Sequence, residues 1–272
     1  MSPFHEPCAV RAGLLALVAL GCATGPDIPG PPALLVMAKA PSGWQQSGVP
    51  FARPPVIQLA DADGNSVLQA GTIVTATITS GTGTLGGVTA VVTADTGMAI
   101  FEDLSITGPV GEKTLTFSAP AAGQRRVLGD LVSATSTLNL TAGPAGTILV
   151  HQGNNQSAAP GIAVATAPSV QVTDADENPV SGVVVSFEVT SGSGSITGPT
   201  QITDGHGIAA VGSWTLGSAA GANTLTARAE GLIHSTITFT ASGVTGWAPG
   251  VGCFVDDQGR TYCLDPGPLQ VE

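Results

Sequence analysis

At 272 residues the chain has room for about two domains of ordinary size. Only 10% of its residues are charged, with 19 acidic against 8 basic side chains and a formal net charge of −11. That balance argues against nucleic acid as a partner, because an acidic, Lys-poor surface repels phosphate backbones and no basic stripe offsets it.

Residues 1–21 read as an export signal. Arg11 and the amino terminus supply positive charge, and Ala12 to Leu20 form a nine-residue apolar run. Such a run is too short to span a bilayer, which takes about 20 residues, but suits a signal peptide. Glu6 is out of place in the charged region. Ala19-Leu20-Gly21-Cys22 then resembles a bacterial lipoprotein cleavage box, with the usual order of its first two residues reversed. The resemblance implies lipidation of Cys22 and a lipid anchor in a membrane, hence an exported protein of the outer membrane or cell surface. The competing reading is an ordinary signal peptide cut near Ala23. Residues 22–32 are a Pro/Gly tether, a semi-rigid spacer with nothing to pack.

Beyond the tether, abundant Val, Ile, Thr and Gly favour strands and turns over helices. Val74, Ala76 and Ile78 alternate with Thr75, Thr77 and Thr79, the period of a strand with one buried and one wet face. Leu115 with Phe117, and Leu138 with Leu140, continue the pattern to a linker at 143–146. The chain then repeats itself. Ala60-Asp61-Ala62-Asp63-Gly64-Asn65 returns as Thr173-Asp174-Ala175-Asp176-Glu177-Asn178, with Asn65 and Asn178 113 residues apart. A period this long is a duplicated domain, since solenoid repeats run to about 20–50 residues. In the second copy Val183, Val185, Phe187 and Val189 point inward, as do Ile237, Phe239 and Ala241. About seven short strands per copy, with frequent turn signals, predict two tandem immunoglobulin-like β-sandwiches, an all-β fold. Their extents are 33–142 and 147–243, followed by a tail at 244–272.

The second copy carries Asp174-Ala-Asp-Glu-Asn178-Pro179-Val180-Ser-Gly182-Val-Val-Val-Ser-Phe187, Asp204-Gly-His-Gly207-Ile-Ala209 and Ala220-Gly221-Ala-Asn-Thr-Leu225-Thr-Ala227. These stretches resemble bacterial immunoglobulin-like domains of the invasin/intimin type. The first copy is similar but looser: Ser66 stands in place of Pro, and residues 120–132 lengthen one loop. The resemblance implies rigid stalk units of a cell-surface protein, in a family where ligand binding usually belongs to a different, distal domain.

Several groupings invite a chemical reading. Asp61-x-Asp63-x-Asn65 and its repeat mimic the start of a calcium-binding EF-hand loop, which needs Gly at position six and Glu at twelve. Those positions hold Ser66 and Thr72 in one copy, Pro179 and Val185 in the other. The expectation is instead a turn capped by its own Asx side chains, in which Asn tolerates the left-handed conformation. His151, His206 and His234 have no metal-ligand spacing, so no metal is assigned. No catalytic residue or cofactor is assigned either: nothing resembles a nucleophile elbow, and Glu102-Asp103 and Asp256-Asp257 read as exposed turns. Trp214 stands where the family usually carries Trp, implying core or interdomain packing. Trp44 and Trp247 lie in Pro/Gly loops and are the possible ligand contacts, as platforms for a sugar ring.

In the tail, Cys253 to Cys263 reads as a hairpin around Asp257-Gln258-Gly259, with Gly259 left-handed. Counting back from that loop sets Phe254 against Tyr262 and Cys253 against Cys263, at the short edge of disulfide geometry. A disulfide between Cys253 and Cys263 is expected, in the oxidising compartment that export supplies. Cys253, Gly259, Tyr262 and Cys263 also resemble one hairpin of a propeller repeat of the regulator-of-chromosome-condensation type, although nine residues after Cys263 cannot build a propeller. Two functions follow as expectations. The first is a non-enzymatic, surface-anchored stalk or adhesion module with an unidentified protein or glycan ligand. The alternative is a carbohydrate-binding accessory protein.

Overall fold

The structure is a computed structural model that describes residues 29–120, 131–229, 231–232 and 235–245, with the backbone alone of 253–255 and 261–263. Among these residues every regular element is a strand. The first ten strands are β1 (Leu34–Lys39), β2 (Trp44–Gln46), β3 (Val56–Ala60), β4 (Ile73–Ser80), β5 (Thr84–Gly86), β6 (Ala90–Val92), β7 (Met98–Ile100), β8 (Ser105–Thr107), β9 (Gly111–Ser118) and β10 (Ala134–Thr141). They form a three-stranded sheet, β1-β3-β7, facing a five-stranded one, β2-β10-β9-β4-β6, with β5 and β8 paired apart.

The next ten are β11 (Thr147–Gln152), β12 (Gln156–Ala158), β13 (Ser169–Thr173), β14 (Val184–Ser191), β15 (Ser195–Thr197), β16 (Thr200–Ile202), β17 (Ile208–Ala210), β18 (Ser213–Thr215), β19 (Gly221–Ala229) and β20 (Thr236–Gly243). They repeat the design as β11-β13-β17 over β12-β20-β19-β14-β16, with β15·β18 apart. The protein is two tandem immunoglobulin-like sandwiches. Each has ten strands rather than about seven. The additional ones are three-residue strands such as β5 and β8, too short for a period of two to register in sequence.

Each sandwich closes over its own core. Ile57, Leu59, Leu115, Phe117 and Leu138 are buried in the first, and Phe101 meets Phe117 edge to face at 5.0 Å between centroids. Val170, Val172, Val185, Leu225 and Phe239 fill the second. Alternation sets the faces as expected: Val185 and Phe187 are buried on β14 while Ser186 and Glu188 face water. The wet face is held by hydroxyls in place of charges. Thr79 and Thr116 Oγ1 lie 2.8 Å apart across β4 and β9, and Thr190 and Thr224 lie 2.8 Å apart across β14 and β19. Such cross-strand pairs each add a few tenths of a kcal/mol, roughly, without net charge.

Trp214, on β18, is wholly buried in the second core, with its indole Nε1–H lacking a partner. Core packing is therefore the outcome for this tryptophan. In the tail, β21 (Cys253–Val255) and β22 (Thr261–Cys263) pair antiparallel, with Cys253 opposite Cys263, Phe254 opposite Tyr262 and Val255 opposite Thr261. The backbone register matches the one counted from the Asp257-Gln258-Gly259 loop.

Candidate functional site at the junction of the sandwiches

The repeated Asp-Ala-Asp loops are turns first. Asp61 Oδ1 accepts from the backbone N–H of Asp63 at 3.0 Å and of Asn65 at 2.8 Å, and its Oδ2 accepts from Asn65 Nδ2 and from Gly30 N. Asp174 does the same with Asp176 N, Asn178 N, Asn178 Nδ2 and Gly143 N, at 2.9, 2.8, 2.9 and 2.6 Å. Both carboxylates are buried, and four donors saturate each. Neither Asp61 nor Asp174 has an oxygen left for a cation, so the EF-hand likeness fails at its first ligand position. Among the described residues no cluster of three His, Cys, Asp or Glu is placed to hold a metal.

The expected Asx capping is present, but the left-handed residue is not Asn. It is one position earlier, Gly64 at φ 87° and Glu177 at φ 63°. Asn65 and Asn178 instead give their side-chain amides to the Asp carboxylates.

The donors shift the acids. Burial would raise the Asp174 carboxyl, but the hydrogen bonds from Asn178, Gly143 and Asp176 outweigh it and hold the group below its ordinary 3.8. Asp61 is also lowered, chiefly by the Gly30 N–H, against the opposing effect of desolvation. Asp204, in the exposed turn carrying His206, is lowered by the N–H groups of Ile208 and His206.

The second loop has a further task that sequence reasoning missed. Asp176 Oδ2 accepts from Ser47 Oγ at 2.7 Å and from Gly108 N at 3.1 Å, both in the first sandwich. Asn178 Oδ1 accepts from Val110 N at 2.9 Å, and its Nδ2 donates to Gly108 O at 3.0 Å. One turn thus caps itself and clamps the preceding sandwich. Glycine is required at two points. Gly108 holds φ 142°, and a side chain there would meet Gly83 Cα at 2.9 Å; one at Gly143 would meet Ser47 O at 2.7 Å. For the linker bond alone a signal was present in sequence: Gly30 precedes Asp61 by 31 residues, as Gly143 precedes Asp174.

Beside the clamp the two sandwiches frame an open cleft of about 470 Å³, lined on one side by Trp44, Gln46, Asn139 and Thr141 and on the other by Pro179 and Ser181. Trp44 lies on strand β2 and not in a loop, because β2 runs parallel to β10 with Trp44 opposite Asn139 and Gln46 opposite Thr141. Gln45 between them is buried, and its Nε2 donates to Val49 O at 2.7 Å. Trp44 itself is 69% exposed. Cys22, Trp247, His234, Arg125-Arg126 and Asp256-Asp257 lie outside the described residues, as do the side chains of Cys253 and Cys263.

No protein-family model and no curated protein matches the sequence. Several solved structures are similar. The D0-D1 domain of Intimin is 22% identical over 75% of this chain and 93% of that one, with a TM-score of 0.28. FdeC, an Escherichia coli adhesin, is 20% identical over 80% of this chain and 66% of that one, at 0.42. Invasin, a bacterial integrin-binding protein, is 18% identical over 84% and 47%, at 0.34. A β-glucuronidase of Parabacteroides merdae is 12% identical over 72% and 23%, at 0.27. Adhesins and a glycosidase share this range of scores, so these likenesses carry neither a family nor a function to this chain.

Proposed function

We propose that the chain is a non-enzymatic, envelope-anchored interaction module, its two sandwiches joined as a short rigid stalk. The observation that supports this most is the clamp, in which the Asp174–Asn178 turn accepts hydrogen bonds from Ser47 Oγ, Gly108 N and Val110 N of the sandwich before it and donates one to Gly108 O. A linker of 143–146 left to itself would allow independent tumbling. With Gly143 N bound to the buried Asp174 carboxylate, the linker becomes part of the second fold.

In this reading residues 1–21 direct export and Cys22 becomes the lipidated N-terminus. The several acyl chains of a bacterial lipoprotein hold a protein firmly where one chain would not. Residues 22–32 then space the first sandwich (33–142) from the outer membrane, followed by the second (147–243) and a tail closed by a Cys253–Cys263 disulfide. The module carries no catalytic residue, cofactor or metal, and its charge of −11 disfavours nucleic acid. Metabolic labelling with palmitate tests the anchor. Label is expected on the wild-type chain and absent from Cys22→Ser; label persisting in Cys22→Ser contradicts the assignment.

A further inference from the structure

The duplication supplies an internal control for Trp44. The position 113 residues on is Ser157, on β12, which runs parallel to β20 as β2 runs parallel to β10. Both positions face water, and both are followed by a buried residue, Gln45 or Ala158. The fold is thus satisfied by serine at this place. A tryptophan 69% exposed there has no task in either core.

Its surroundings suit a ligand of one kind. Period-two geometry puts Trp44 and Gln46 on one face of β2, and their partners Asn139 and Thr141 share that face of β10. The result is an indole beside two carboxamides and a hydroxyl, closed on the far side by Pro179 and Ser181. Thr141 Oγ1 donates to Gln45 O at 3.2 Å, whereas the Gln46 and Asn139 amides have no protein partner among the described residues. Among the described residues the cleft has no charged side chain in its lining, in a chain of net charge −11. Glu112, paired with Asn139 on β9, flanks the patch as a further acceptor and disfavours anions. At about 470 Å³ the cleft is within the ordinary size of small-molecule sites.

We infer that this cleft binds an uncharged saccharide, one sugar ring stacked on Trp44 and its hydroxyls met by Gln46, Asn139 and Ser181. An indole offers the apolar face of a pyranose a flat partner, and amides both donate to and accept from hydroxyls. A proline-rich peptide would want a groove of several aromatics, and among the described residues the cleft has one. The site rests on the interaction-module reading and gives that module its ligand class. It exists only because the clamp holds the second sandwich against the first.

The test is a glycan array of neutral and acidic oligosaccharides probed with the exported chain, followed by calorimetry on the best neutral binder. Saturable binding to a neutral glycan is expected, weakened about tenfold or more in Trp44→Ser, a change of about 1.4 kcal/mol or more. Because serine occupies the equivalent place in the second sandwich, Trp44→Ser should keep the wild-type melting temperature. Gln46→Ala, which removes one amide and leaves the stacking face, is expected to weaken binding less. Absence of neutral-glycan binding, preference for acidic glycans, displacement by a proline-rich peptide, or unchanged affinity in Trp44→Ser would each overturn the assignment. If that happens while palmitate labelling still depends on Cys22, the saccharide site falls and the anchored module stands.

Discussion

Asp174 shows how a buried carboxylate is kept charged without a cation. Its oxygens take three backbone N–H groups and one carboxamide, and the proton is held off below the ordinary 3.8. Asparagine there would aim an N–H₂ at groups that are themselves donors. Asp174→Asn is therefore expected to lower stability by about 2–3 kcal/mol, measured by denaturant unfolding of the second sandwich. The same bonds set an acid limit. A group whose folded pKa is depressed contributes stability above its unfolded value and loses it as pH falls through the folded one. The Asp174 turn should thus hold its full stability at neutral pH and lose it as pH falls below about 4, with Asp61 following the same sign; a melting temperature flat from pH 6 to pH 3 would contradict this. Glu177 has the opposite economy. At φ 63° it sits where Gly64 sits in the first loop, so Glu177→Gly is expected to stabilise by about 0.5 kcal/mol or more, strain relief exceeding the entropy glycine adds to the unfolded chain.

At the scale of the strand, β14 decides whether the second sandwich forms. Val185 and Phe187 have their partners in β19 and in the core, at 0% and 4% exposure. Val185→Asp or Phe187→Asp places an unpaired carboxylate there, a loss of several kcal/mol, roughly half or more of a domain's stability. Loss of the cooperative β-type circular dichroism transition is the expected readout; a wild-type melt would mean the faces are reversed. The strands were legible in sequence because alternation is a local signal, and Val74, Ala76, Leu115 and Phe187 all fell on the face it predicts. Trp44 was not legible. Pro and Gly around it signal a loop, and the strand exists only through its parallel partner β10, almost 100 residues on. The clamp was hidden for a similar reason: turn chemistry accounts for Asp174 and Asn178 by themselves, and nothing local reveals that Asp176 meets Ser47. In the tail, β21 and β22 bring the Cys253 and Cys263 backbones opposite each other. Intact mass of exported protein should show two masked thiols at Cys253 and Cys263, released by reductant. A short closed loop of this kind adds up to about 3 kcal/mol to a hairpin otherwise marginal in water.

Over the whole molecule, two separate cores, each built from its own strands, are coupled by one turn. Each buries its own hydrophobic set, and among the described residues the hydrogen bonds that couple them run between Ser47, Gly108, Val110, Gly143 and the Asp174–Asn178 loop. Polar clamps of this kind are worth about 1 kcal/mol per hydrogen bond, enough for four together to hold one arrangement while leaving each unfolding transition its own. A stalk needs that property, and so does a cleft built from both sandwiches. The most direct measurement is ¹⁵N relaxation of the two sandwiches in the wild-type chain and in the Asp176→Ala/Asn178→Ala double variant. The clamp predicts one shared rotational diffusion tensor in the wild type and separate, faster tumbling of the two sandwiches in the variant, with both still folded. Independent tumbling of the sandwiches in the wild-type chain would contradict it.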